Sequence, residues 1–135
     1  MVRKILTQIA ERFGNEVGTI RFSATPMLLS DNNNYALGPH TDRVERVSAA
    51  LFYMPHSASD TELGMSPYLP KVPNFTCPCG PHHSFDKHQR VATMQYAPNT
   101  AFCFFKTDAS FHGVEPVAGN DQKRWLFSYI LETAK

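Results

Sequence analysis

Past residue 18 this chain is cut into short β-type runs by proline, glycine and asparagine, and that punctuation limits the fold more than any other feature. The runs are "GTIRFSATPMLL" (18–29), "RVSAALFYM" (46–54), the interrupted "TELGMSPYL" (61–69), "RVATMQYA" (90–97), "AFCFFK" (101–106), "FHGVEPV" (111–117) and "RWLFSYIL" (124–131). Turn clusters "DNNN" (31–34), "PNT" (98–100) and "AGND" (118–121) lie between them. Many short strands joined by such turns predict an all-β sandwich or barrel over about 18–131. Before them comes one helix, about 2–13. Val2, Ile5, Leu6, Ile9 and Phe13 fall at helical spacing, Lys4, Gln8, Glu11 and Arg12 take the other side, and Gly14 marks the end.

The last run alternates strictly. Arg124, Leu126, Ser128 and Ile130 share one face, and Trp125, Phe127, Tyr129 and Leu131 share the other. So large an aromatic face needs cover, and the N-terminal helix, packed on the outer face of one sheet, is the cover the chain supplies. One helix is thin cover for a sheet, and a homodimer, or an N-terminal region missing from this chain, would explain the shortage.

At 135 residues the chain is long enough for one domain with its own core. Thirteen Lys+Arg against twelve Asp+Glu leave a net charge of +1, with no basic run to track phosphates, so neither nucleic acid nor an acidic membrane is expected as partner. The charged N-terminus does not read as a signal peptide. The odd count of three cysteines, with Cys77 and Cys79 two apart, does not read as a secreted disulfide framework. The expectation is a soluble, cytoplasmic protein.

In "LGPHTD" (37–42), His40 and Asp42 are two apart, so on a strand both side chains leave one face. His112 lies in a later strand-like run, and Arg124 follows at an inward position of the last one. Two neutral imidazoles and one carboxylate on one face of an octahedral ion is the ligand pattern of non-haem Fe(II) oxygenases. An inward guanidinium suits the distal carboxylate of a dicarboxylic co-substrate.

These residues carry a resemblance. "LGPHTDRVERVSAALFYMP", "TELGMSPYLPK" and "RVATMQYAPNTAFCFFKTDASFHGVEPVAGNDQKRWLFSYIL" resemble segments of the 2-oxoglutarate- and Fe(II)-dependent oxygenase superfamily, near its prolyl-4-hydroxylase-like branch, over about 35–131. The resemblance implies a double-stranded β-helix (jelly roll). In it His40, Asp42 and His112 bind Fe(II), and Arg124 binds 2-oxoglutarate. It also implies that O2 is consumed, succinate and CO2 are released, and a small-molecule or peptidyl substrate is hydroxylated. Members often place a hydroxyl near the co-substrate; Tyr35, Tyr53 and Ser128 are the candidates, with Tyr53 preferred. The rival reading is a cupin-like metal-binding barrel without 2-oxoglutarate chemistry, for which an inward Arg124 has no use.

The loop "PKVPNFTCPCGPHHSFDKHQ" (70–89) is longer than a compact domain usually carries without a functional reason. Cys77, Cys79, His82 and His83 are zinc-type ligands, but their spacing matches no common structural zinc site. A lid beside the iron, with His82, His83, His88 or Arg90 reaching substrate, is the expected role.

Overall fold

The computed structural model describes residues 2–32, 34–56, 61–116 and 123–134. Its helix, α1 (Val2–Phe13), ends where Gly14 takes a left-handed φ of 55°, a conformation that side chains resist. The strands that follow are β1 (Arg21–Asp31), β2 (Leu37–His40), β3 (Arg46–Tyr53), β4 (Ser66–Pro70), β5 (His88–Arg90), β6 (Ala101–Phe105), β7 (His112–Val114) and β8 (Arg124–Ala134). They form two four-stranded sheets, ordered β1-β8-β3-β6 and β2-β7-β4-β5. Every pairing is antiparallel. The chain is therefore mainly β, as its punctuation predicts.

Alternation decides which side chains enter the core. Val47, Ala49, Leu51 and Tyr53 of β3 are buried, as are Arg124, Leu126, Ser128 and Ile130 of β8. The register sets Ala49 opposite Ile130, Leu51 opposite Ser128 and Tyr53 opposite Leu126, so the two inward sets lie side by side. Leu51, Tyr53, Met65, Tyr96, Val114 and Leu126 then form one cluster fed by both sheets. Each such side chain contributes about 2 kcal/mol on burial.

Three expectations need correcting. The helix does not blanket the aromatic face of β8: Tyr129 and Phe52 stay 45% exposed and Leu28 62%. Instead α1 touches the end of the larger sheet. Phe13 meets Phe22 edge-on at 6.4 Å, and the Arg12 guanidinium donates to the carbonyls of Val44 and Arg46. A helix about 10 Å across can cover only about two strands spaced about 4.8 Å apart, and this sheet has four.

The run 90–97 is not a strand beyond Arg90. Val91 donates to Pro67 and Met94 to Met65, so three residues advance on one side against two on the other, and no continuous ladder forms. The run 61–69 opens with a 3-10 turn, Thr61–Leu63, before β4 begins. The expected turn at 118–121 lies outside the described residues.

Candidate metal centre

β2 and β7 pair so that His40 faces His112 directly across the ladder. Asp42 follows two residues beyond the end of β2. The two imidazole centroids are 4.4 Å apart; Asp42 Oδ1 lies 4.0 Å from His40 Nε2 and 3.8 Å from His112 Nε2. One ligand atom from each of the three residues falls within 4.8 Å of the others. Among the described residues this is the group of three or more His, Cys, Asp or Glu that converges so.

Local hydrogen bonds orient both rings. His40 Nδ1 lies 3.0 Å from the Gly38 carbonyl, and His112 Nδ1 lies 3.0 Å from the Ser110 carbonyl. A carbonyl only accepts, so each Nδ1 carries the proton and each Nε2 presents a lone pair toward Asp42. Burial, the largest cause, lowers the His112 pKa and brings that of His40 down to about 4, with His112 adding to the second effect. Both rings are therefore neutral at neutral pH, as ligation requires.

Asp42 is buried, and its two oxygens differ. Oδ1 accepts from Arg46 Nη1 at 2.6 Å, whereas Oδ2 is buried without a hydrogen-bond partner. An orphaned buried oxygen costs about 1–3 kcal/mol, which a cation beside it would relieve. Two neutral Nε2 atoms and a half-satisfied carboxylate fit a divalent transition metal such as Fe(II).

The three residues line a cavity of about 160 Å³ that also reaches Arg124, Asp31, Tyr35 and Ser128. Arg124, the first residue of β8, points inward with its side chain 7% exposed. Its guanidinium is already engaged. Nε donates to Asp31 Oδ2 at 2.9 Å, Nη2 donates to the same oxygen, and Nη1 donates to the Leu63 carbonyl at 3.1 Å. The Tyr35 ring lies 5.5 Å from its central carbon.

Tyr53 stands apart from the cavity. Its hydroxyl accepts from the Met65 N–H at 2.9 Å and its ring packs 5.3 Å from Tyr96, in the core. Of the three hydroxyl candidates, Tyr35 and Ser128 are the two that line the cavity.

The loop after β4 packs against the β2 side of the site. His82 packs its ring 4.6 Å from His40, the His83 N–H donates to Pro39, and Thr41 donates to the Cys77 carbonyl. Among the described residues Cys77 and Cys79 join no ligand cluster; Cys77 Sγ instead meets the Cys79 carbonyl at 3.0 Å. Gly38 and Gly113 permit this crowding. A Cβ would stand 2.4 Å from the His83 carbonyl oxygen at the first and 2.5 Å from that of Leu37 at the second.

Sequence reasoning missed Arg46 and Asp31. Arg46 carried a local signal, four residues after Asp42, whereas Asp31 read only as part of a turn cluster.

No protein-family model matches the sequence, and no curated protein matches it. Among solved structures, the chain is similar to HygX from Streptomyces hygroscopicus, determined with iron bound. The TM-score is 0.51 at 12% identity, over 84% of this chain and 59% of HygX, so the chain spans about three-fifths of that protein's length. At such identity the likeness speaks for the fold alone. A looser match, TM-score 0.41 at 14% identity over 86% of this chain and 91% of the other, is to a pilus protein of Bacillus endospore appendages.

Proposed function

We propose that this chain is a 2-oxoglutarate-dependent Fe(II) dioxygenase that hydroxylates a C–H bond of a small-molecule or peptidyl substrate. The observation that carries the reading is the meeting of His40, Asp42 and His112, with Asp42 Oδ2 left unpartnered. The order β1-β8-β3-β6 over β2-β7-β4-β5 supports a double-stranded β-helix around it. That the similar fold of HygX was determined with iron bound supports the choice of metal.

In this reading His40 and His112 would give their Nε2 lone pairs and Asp42 its carboxylate to hold Fe(II). When bound, the metal supplies the oxidation in which one oxygen atom ends in succinate and the other in the new hydroxyl. Arg46 holds Asp42 through Oδ1, so the carboxylate keeps its direction while Oδ2 stays available. Arg124 faces the same cavity and supplies the positive charge for the far carboxylate of the 2-oxo acid. His82 and the loop behind it shield the His40 side from water.

One observation favours a second reading, a cupin-like metal-binding barrel without 2-oxo acid chemistry: Arg124 is already paired with Asp31. Anaerobic addition of Fe(II) and then 2-oxoglutarate separates the two. A weak visible charge-transfer band, with succinate formed once air is admitted, is the expected result. No band and no 2-oxoglutarate turnover overturns the dioxygenase reading.

A further inference from the structure

Asp31 is the last residue of β1 and sits directly opposite Arg124 in the β1–β8 register. Both line the cavity that holds the metal triad, and their side chains are only 17% and 7% exposed. Nε and Nη2, the side-on fork with which a guanidinium grips a carboxylate, both close on Asp31 Oδ2. Nη1 is held by the Leu63 carbonyl, and the Tyr35 ring lies against the guanidinium. The inward positive charge is thus neutralised by a side chain of the protein itself. A ligand carboxylate arriving at Arg124 would meet a like charge there and compete for the same donors.

We propose that Asp31 is the specificity-determining residue of this site: by holding Arg124 it competes with the far carboxylate of 2-oxoglutarate, so that the site also admits 2-oxo acids whose far end is uncharged. This rests on the dioxygenase reading above and widens the co-substrate class. The near end of either acid, its 1-carboxylate and keto oxygen, faces the metal triad and does not involve Asp31. Discrimination therefore arises only at the Arg124 end, where the two acids differ.

The experiment is an anaerobic titration of the Fe(II)-loaded protein with 2-oxoglutarate and, separately, with 2-oxopentanoate, its monocarboxylic analogue, followed by the visible band. Wild type is expected to bind 2-oxoglutarate no tighter than 2-oxopentanoate. Asp31→Asn keeps the shape and removes the charge, and should tighten 2-oxoglutarate by about tenfold while moving 2-oxopentanoate less than about twofold. Asp31→Ser serves as a second variant should the first not fold, and Fe(II) affinity and thermal midpoint report on the integrity of both.

A wild type that prefers 2-oxoglutarate by more than about tenfold overturns the proposal without any variant. So does unchanged or weakened 2-oxoglutarate binding in Asp31→Asn, the latter making Asp31 a positioning residue for Arg124. In either case the dioxygenase reading survives. If neither acid perturbs the Fe(II) spectrum in any variant, that reading falls and this inference with it.

Discussion

Each imidazole of the triad gives its Nδ1 proton to the carbonyl two residues before it, Gly38 for His40 and Ser110 for His112. The same local device therefore sets both tautomers, and Asp42 supplies the negative charge between them. Asp42→Ala is expected to weaken Fe(II) binding by at least about tenfold, whereas Arg124→Ala should spare Fe(II) and weaken 2-oxoglutarate binding. Paired titrations of metal and acid check the split, and equal losses in both variants would refute it.

The metal-free protein should also respond to acid. His40 has a pKa depressed from 6.5 to about 4, chiefly by burial, so within that window the unfolded chain binds more protons than the folded one. Stability must then fall as pH drops through the window, with His112 acting in the same direction. Urea midpoints at pH 7 and pH 4.5 measure this; identical midpoints would exclude it. At this scale His40, Asp42, His112 and the inward Arg124 were legible, because spacing and strand parity expose them. Asp31 was not, since its partner lies 93 residues away and only the β1–β8 register joins them. The preference for Tyr53 failed to anticipate that its hydroxyl is taken by Met65.

Among the elements, β3 could be read from its apolar run and β8 from its alternation, while 91–97 misled. That run has a strand's composition, yet its backbone bonds at Val91 and Met94 fall out of step with β4. What anchors it is a side chain. The Tyr96 hydroxyl accepts from the Trp125 N–H at 2.7 Å and donates to the Trp125 carbonyl at 2.8 Å, tying the run to β8. Tyr96→Phe should cost about 1–3 kcal/mol in an equilibrium unfolding measurement, because the Trp125 N–H loses its acceptor; a cost near zero would deny that anchor.

The loop after β4 depends instead on a missing side chain. Gly38→Ala places a carbon 2.4 Å from the His83 carbonyl oxygen, so the loop must lift from β2. A loss of about 1–3 kcal/mol and faster proteolytic cleavage within 71–84 are expected, and an unchanged cleavage rate would contradict this.

At the scale of the whole molecule, the outward side of the larger sheet stays apolar and open, with Phe22, Leu28, Phe52 and Tyr129 exposed. The sequence disclosed this face through β8 but could not say how little of it α1 would hide. Replacing Leu28 and Tyr129 together by lysine should cut binding of an apolar fluorescent dye while shifting stability by no more than about 0.5 kcal/mol. Undiminished dye fluorescence would show that the patch lies elsewhere.

The interleaving of β8 between β1 and β3 also bears on biosynthesis. Of the strands among the described residues β8 leaves the ribosome last, yet it occupies an interior row of its sheet. Until it arrives, β1 and β3 each present an unzipped flank, and β1 has waited through nearly a hundred intervening residues for its mate. The larger sheet can accordingly close only once β8 is in place, and until then those two flanks stay open to pairing with another strand.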